Sequence, residues 1–289
     1  MIREFSSMDS STGNVSPSNC FAAMRPRATL ASVMTLILVA SFASTGLGAH
    51  TQQEIYVPSY VYPCSGTAGC AWDVFKTGAT LVIINPASGP GTASNADYVN
   101  LVNTVKAGSS TVKIVLGYVS TNYGNRDSAL VLADIDKYYS FYNVDGIFLD
   151  EGSTDCTKTS VYKSYDTRVK SKAGLGYTVL NWGVYGPECY LTSTHIDNYV
   201  NFENTFAQYT SAYASAVPSW VNKYDSSRFW NILHTAPNNA TAVTQAVGTA
   251  KTRNVGQVYI TNDVLSNPFD TAPASALWTA QVNKAKSCT

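Results

Sequence analysis

From residue 54 onward, short runs rich in β-branched and apolar residues alternate with longer stretches whose apolar positions recur at helical spacing. That alternation is the signature of repeated βα units around a parallel sheet. Eight runs read as strands: 54–60, 80–85, 113–119, 145–150, 177–182, 198–203, 228–235 and 257–262. Between them, 96–106, 127–142, 159–172, 205–216 and 240–252 read as helices, and 274–286 as a closing helix. Asp127 is placed to cap its helix by accepting an orphan amide of the first turn. No Pro/Ser-rich linker or charge block divides 50–289, so one domain is expected there. Eight strands with helical crossovers favour an α/β fold of the single (β/α)8 TIM-barrel type. An open doubly wound sheet would carry a glycine-rich nucleotide turn after its first strand, and here that turn reads Pro63-Cys64-Ser65-Gly66. Gly89-Pro90-Gly91 lacks the following Lys of a phosphate loop.

Ahead of the barrel, Arg25 and Arg27 precede an uncharged apolar run over 28–43, with small residues through Ala49. This is the layout of a secretory signal, and the run falls short of the ~20 residues that span a bilayer. Residues 1–49 are therefore expected to be leader and cleaved signal, with Met24 a conventional start for it. The product is expected to be secreted, extracellular or cell-wall-associated, with no membrane association after cleavage. Export permits disulfides. Cys64 and Cys70 bracket a flexible stretch, and Cys156 and Cys189 each follow a predicted strand, so each pair could close; Cys288 is then left over. No spacing reads as a zinc or redox motif, so no metal and no cofactor are expected. Asn239-Ala240-Thr241 is an N-glycosylation acceptor.

Charge narrows the function. The 289 residues carry 19 Lys+Arg against 19 Asp+Glu, and at 13% the charged fraction is about half the ~25% of ordinary domains. A chain with no net charge has no field to gather phosphates, which excludes a dedicated nucleic-acid partner. Aromatic residues at 12% exclude a disordered chain. The expected partner is a polysaccharide, bound by a monomer.

Barrel chemistry sits at the C-terminal ends of strands. In Asp145-Gly-Ile-Phe-Leu-Asp150-Glu151, strand alternation puts Gly146, Phe148 and Asp150 on one face, so Asp150 points into the mouth. Glu151 takes the opposite parity unless the strand has already ended, and would then rim the cleft. In Tyr199-Val-Asn-Phe-Glu203 the same logic groups Tyr199, Asn201 and Glu203 on the inner face. Two carboxylates at the ends of strands four and six are the equipment of glycoside hydrolysis. Each acid also has a bland reading: Glu203 as a helix N-cap, or an ion pair with Arg126 or Lys158. Tyr60, Tyr62, Asn85, Tyr118, Asn181, Trp182, Tyr185, His234 and Asn262 stand at other strand ends as substrate-binding candidates, rings and amides suiting sugars better than charges do. His234 could donate to a substrate hydroxyl or serve the packing. With no GxSxG and only His50, His195 and His234 beyond the signal, serine hydrolysis is poorly supported.

Pro58-Ser-Tyr60-Val-Tyr62-Pro63, Asn85-Pro-Ala-Ser-Gly-Pro-Gly91, Leu116-Gly-Tyr118-Val-Ser-Thr121 with Tyr123-Gly-Asn-Arg126, and Asp145-Gly-Ile-Phe-Leu-Asp150-Glu151 resemble the spherulin-4 (spherulation-specific family 4) proteins. The resemblance implies a (β/α)8 glycoside hydrolase related to endo-α-1,4-polygalactosaminidases, acting on N-acetylgalactosamine stretches of galactosaminogalactan-type exopolysaccharide. It further implies catalytic acids at Asp150, Glu151 and Glu203, and a groove lined by Tyr60, Asn85, Tyr118 and Asn181. Which of Asp150 and Glu203 attacks and which protonates stays exchangeable. A chitinase-type DxxDxDxE would need an acid where Phe148 stands. A non-catalytic sugar binder on the same barrel is the competing reading.

Overall fold

The computed structural model describes residues 53–64, 70–108, 110–211 and 216–285. The proposed leader and signal, Cys20 and Cys288 lie outside the described residues. Eight parallel strands follow one another in chain order: β1 (Tyr56–Val57), β2 (Leu81–Ile84), β3 (Ile114–Ser120), β4 (Gly146–Asp150), β5 (Tyr177–Asn181), β6 (Asn198–Thr205), β7 (Phe229–His234) and β8 (Gln257–Ile260). A parallel bridge between Glu54 and Gln257 joins the last strand to the first, with Glu54 N–H donating to the Gly256 carbonyl at 3.0 Å. The architecture is the expected (β/α)8 barrel.

The crossovers carry α1 (Ala71–Phe75), α2 (Ala96–Lys106), α3 (Ser128–Tyr142), α4 (Thr159–Lys170), α5 (Cys189–Ser193), α6 (Phe206–Thr210), α7 (Ala240–Thr252) and α8 (Ser275–Ala285). In α2 the buried positions are Tyr98, Leu101, Val102 and Val105, one stripe at helical spacing. Asp127 caps α3 as expected, accepting the Ala129 amide at 2.9 Å, and Asn143 ends it in the left-handed conformation. Asn239, the glycosylation acceptor, is exposed and caps α7 through its carbonyl oxygen.

Two expectations about elements are corrected, and two short helices are added. Pro58, which has no amide to donate to a ladder, follows β1 and leaves it two residues rather than the seven expected. The helix expected over 205–216 stops at Thr210, while β6 runs on to Thr205, whose hydroxyl caps what remains by accepting the Gln208 amide. Helices α1 and α5 span five residues each, too short for periodicity to announce them.

Inside the barrel the rings of Tyr56, Tyr118, Phe148 and Trp230 interlock, with Phe148 and Trp230 at 5.9 Å and Tyr56 and Trp230 at 5.5 Å. On the outer face, Gly117 makes room for Tyr138 of α3, since a Cβ there would lie 2.3 Å from that ring. Both suggested disulfides form, Cys64–Cys70 and Cys156–Cys189.

The second bridge ties the loops after β4 and β5 across a sequence separation of 33, which corresponds to about 4 kcal/mol of unfolded-state entropy. Replacing Cys156 and Cys189 by Ser is expected to lower Tm by about 10 °C. Scanning calorimetry checks it, and an unchanged Tm contradicts the stabilising role.

Candidate active site

In parallel strands, residues in register point to the same side. Phe148 of β4 pairs with Val179 of β5, which pairs with Asn198 of β6, so these face inward, and two residues on so do Asp150, Asn181 and Val200. Simple alternation along β6 would then turn Glu203 outward with Tyr199 and Asn201. It does not, because the β6–β7 register shifts between Val200 and Phe202: Val200 pairs with inward Trp230, Phe202 with Asn231, and Glu203 with Ile232. Asn201 is the extra residue of a β-bulge, a device that re-aims a side chain beside functional sites. This corrects the expected inner-face grouping. Tyr199 faces the helical layer, stacked on Trp182 at 4.5 Å, Asn201 bonds the outward Asn231, and Phe202 packs on Tyr209 of α6. Glu203 alone of the three enters the mouth.

There it meets Asp150 through a shared donor. Asn181 Nδ2 donates to Asp150 Oδ1 at 2.8 Å and to Glu203 Oε2 at 2.7 Å. The amide is itself oriented by the Gly183 N–H, which donates to its Oδ1 at 2.9 Å. Two oxygens held by one nitrogen can be no farther apart than those two bonds laid end to end. That ceiling, set by one oxygen of each group, is compatible with the ~5–5.5 Å carboxylate spacing of retaining glycosidases.

Burial pushes the Glu203 carboxyl up from 4.5 to about 7, and the Asp150 charge adds to the push against the opposing Asn181 bond. Burial also raises Asp150, opposed by hydrogen bonds from the Tyr118 hydroxyl, the Glu151 amide and Asn181. Asp150 thus has three donors to support its ionised form, whereas Glu203 has one. The pair is built to hold one proton, on Glu203. Neither bland reading of these acids survives: Thr205 caps α6, Arg126 pairs with Asp134 at 2.5 Å, and Lys158 donates to Gly124 and Asn125. Among the described residues, no Lys or Arg forms an ion pair with Asp150, Glu151 or Glu203, and no cluster of His, Cys, Asp or Glu could hold a metal.

β4 ends at Asp150, and Glu151 takes a left-handed conformation at φ 53°. Its carboxylate turns back to accept from the Ser120 hydroxyl and from the Asn122 amide at 3.2 Å.

Asp150, Glu151 and Glu203 line a cleft of about 520 Å³ with Tyr60, Asn181, Trp182 and His234. Tyr118 reaches Asp150 from β3 through its hydroxyl and stands edge-on to Tyr60 at 5.6 Å. His234 is buried, bonded to the Thr235 hydroxyl at 2.9 Å, and burial lowers its pKa, so it is neutral. Four candidates do not line the cleft. Tyr62 points to the surface, donating to Asp97 at 2.5 Å; Asn85 accepts the Gly89 amide within its own turn; Asn262 accepts the Ala274 amide ahead of α8; and Tyr185 lies toward Arg253. Each stands at a strand end, but its side chain is spent on loop structure or the outer layer. Two lining groups had no sequence signal as strand-end residues: Tyr123, on the turn after β3, and the segment Leu265–Phe269 after β8.

The family model for spherulation-specific family 4 matches residues 54–285. The chain belongs to that family. A family relative, Spherulin-4 of Physarum polycephalum, is 37% identical over 175 residues, covering 58% of this chain and 48% of that protein, so the match spans about half the relative's length. Among solved structures, Aspergillus clavatus Sph3 in complex with GalNAc aligns with a TM-score of 0.69 at 25% identity, over 82% of this chain and 98% of that one. The alpha-amylase of Geobacillus thermoleovorans, complexed with acarbose, aligns with a TM-score of 0.52 at 10% identity over 82% and 78%, a likeness of fold alone.

A carboxyl that binds its proton more tightly folded than unfolded costs stability once the pH takes that proton away. Glu203 in the folded chain keeps its proton up to about 7, the unfolded chain only to 4.5, so stability falls as pH rises through that window. Glu203→Gln is therefore expected to raise stability at pH 8 by up to ~3 kcal/mol, with no gain at pH 4. Denaturant titrations at both pH values check it; an equal effect at each contradicts the raised pKa.

Proposed function

We propose that this chain is a secreted, endo-acting glycoside hydrolase that cleaves α-1,4-linked N-acetylgalactosamine stretches of a galactosaminogalactan-type exopolysaccharide with retention of configuration. The observation that carries the reading is the Asn181 fork joining Asp150 and Glu203 at retaining distance. Sph3, crystallised with GalNAc, supports the choice of sugar. The two disulfides support an oxidising destination, and among the described residues no helix is long and apolar enough to cross a membrane. On this reading residues 1–49 direct export and the barrel over 50–289 is the catalytic unit.

The Asp150 carboxylate attacks the anomeric carbon. As that bond forms, the glycosidic C–O bond breaks, its electron pair stays on the departing oxygen, and the Glu203 proton goes to that oxygen. Glu203, now ionised, takes a proton from water as the water displaces Asp150, which restores both groups. Asn181 fits each stage because it can donate to whichever carboxylate carries charge. Neutral His234, Tyr60 and Tyr118 offer hydroxyl and ring contacts without adding a competing charge.

Asp150→Asn and Glu203→Gln are each expected to lower release of reducing ends from galactosaminogalactan by ~10²–10⁴-fold, in protein whose circular dichroism is unchanged. In the wild type, kcat/KM should fall as pH rises past about 7, where Glu203 loses the proton it must donate. Polymer retention without new reducing ends would make the protein a binder, and full activity in Asp150→Asn would remove the proposed nucleophile.

A further inference from the structure

The cleft aromatics are not equivalent. Tyr60 is clasped edge-on by Tyr118 and Phe269, Trp182 is stacked on Tyr199 and met by Tyr190, and Phe269 is held by Tyr60 and Tyr259. Their rings are committed to the barrel. Tyr123 lines the same cleft, yet its side chain is 57% exposed and, among the described residues, makes no ring contact and no hydrogen bond. It is the cleft aromatic with a free face.

Its backbone is anything but free. Asn122 and Tyr123 both adopt left-handed conformations, φ 46° and 54°, ordinary for an asparagine but one that a tyrosine holds only where its surroundings enforce it. Glu151 supplies two of the contacts that hold this turn: Tyr123 N–H donates to the Glu151 carbonyl at 2.7 Å, and Asn122 N–H to the Glu151 carboxylate at 3.2 Å. Thr121 completes the brace, its hydroxyl donating to the Asp150 and Glu151 carbonyls at 2.8 and 2.9 Å. The residue next to Asp150 therefore fixes the position of a ring on the cleft wall.

We propose that Tyr123 is the stacking platform for a sugar unit of the polymer next to the cleavage point, and that Glu151 is a positioning residue that locks it there. The apolar face of a pyranose buried against a rigid ring gains hydrophobic contact without an ordering cost to the protein, because the turn is already fixed. This rests on the glycosidase reading for its ligand, but binding tests it apart from cleavage.

The test is calorimetric titration of an α-1,4-linked N-acetylgalactosamine oligosaccharide into the Glu203→Gln protein, alone and with second changes. Tyr123→Ala is expected to weaken Kd roughly five- to tenfold, the size of one ring contact, while Tyr123→Phe keeps it. Glu151→Ala should weaken it similarly, and Glu151→Gln, which retains an oxygen acceptor for Ser120 and Asn122, should weaken it less. A weakened Tyr123→Ala complex in a wild type that cleaves nothing would leave the platform standing and end the hydrolase reading. An unchanged Kd in Tyr123→Ala, or no binding to the parent protein, overturns the platform; equal losses in Glu151→Gln and Glu151→Ala overturn the role given to Glu151.

Discussion

Two carboxylates that pair with no Lys or Arg among the described residues repel each other and resist desolvation, so something must make their proximity tolerable. Here it is one amide nitrogen, Asn181 Nδ2, placed between Asp150 and Glu203 at the end of β5. Adjacent strands in register bring Asp150 and Asn181 together without special arrangement. Glu203 needs the bulge at Asn201 to join them. The remaining features of the mouth bias the shared proton: Tyr118 and the Glu151 amide join Asn181 in supporting negative charge on Asp150, while at Glu203 the Asn181 bond is what opposes burial and the Asp150 charge. Two acids of similar chemistry thereby acquire different protonation states, which is what an attacking group and a proton donor require.

Such a site lies at odds with stability. A charged Glu203 is unfavourable in the fold, and left-handed conformations at Asn122, Tyr123 and Glu151 add backbone strain in the same corner. The barrel beneath tolerates this because its interior is filled by interlocked rings, and the Cys156–Cys189 bridge fastens the loops on the β4–β5 side. The strained corner is also where the loop after β3 meets the turn after β4, so strain, charge and cleft wall coincide.

Much of this was legible in the sequence. Runs of β-branched residues marked all eight strands, the capping role of Asp127 followed from its position, and an acid ending a strand identified Asp150. Glu203 is not legible by alternation, which groups it with Tyr199 and Asn201 that face the helices, because the bulge that turns it into the mouth leaves no mark in a run of Val200-Asn201-Phe202. Strand-end position alone does not separate cleft residues from Tyr62, Asn85, Tyr185 and Asn262, whose side chains face the surface, a turn or the outer layer. Tyr123 escaped because its placement depends on contacts with Glu151, 28 positions away, and no local pattern encodes them.

The most direct test of the paired-carboxylate account is the anomeric configuration of freshly released product, followed by proton NMR before mutarotation equalises the forms. An Asp150–Glu203 pair bridged by one nitrogen suits direct attack by one acid while the other gives its proton, so the first product should carry the same configuration as the bond that was cut. A first product of opposite configuration would contradict it.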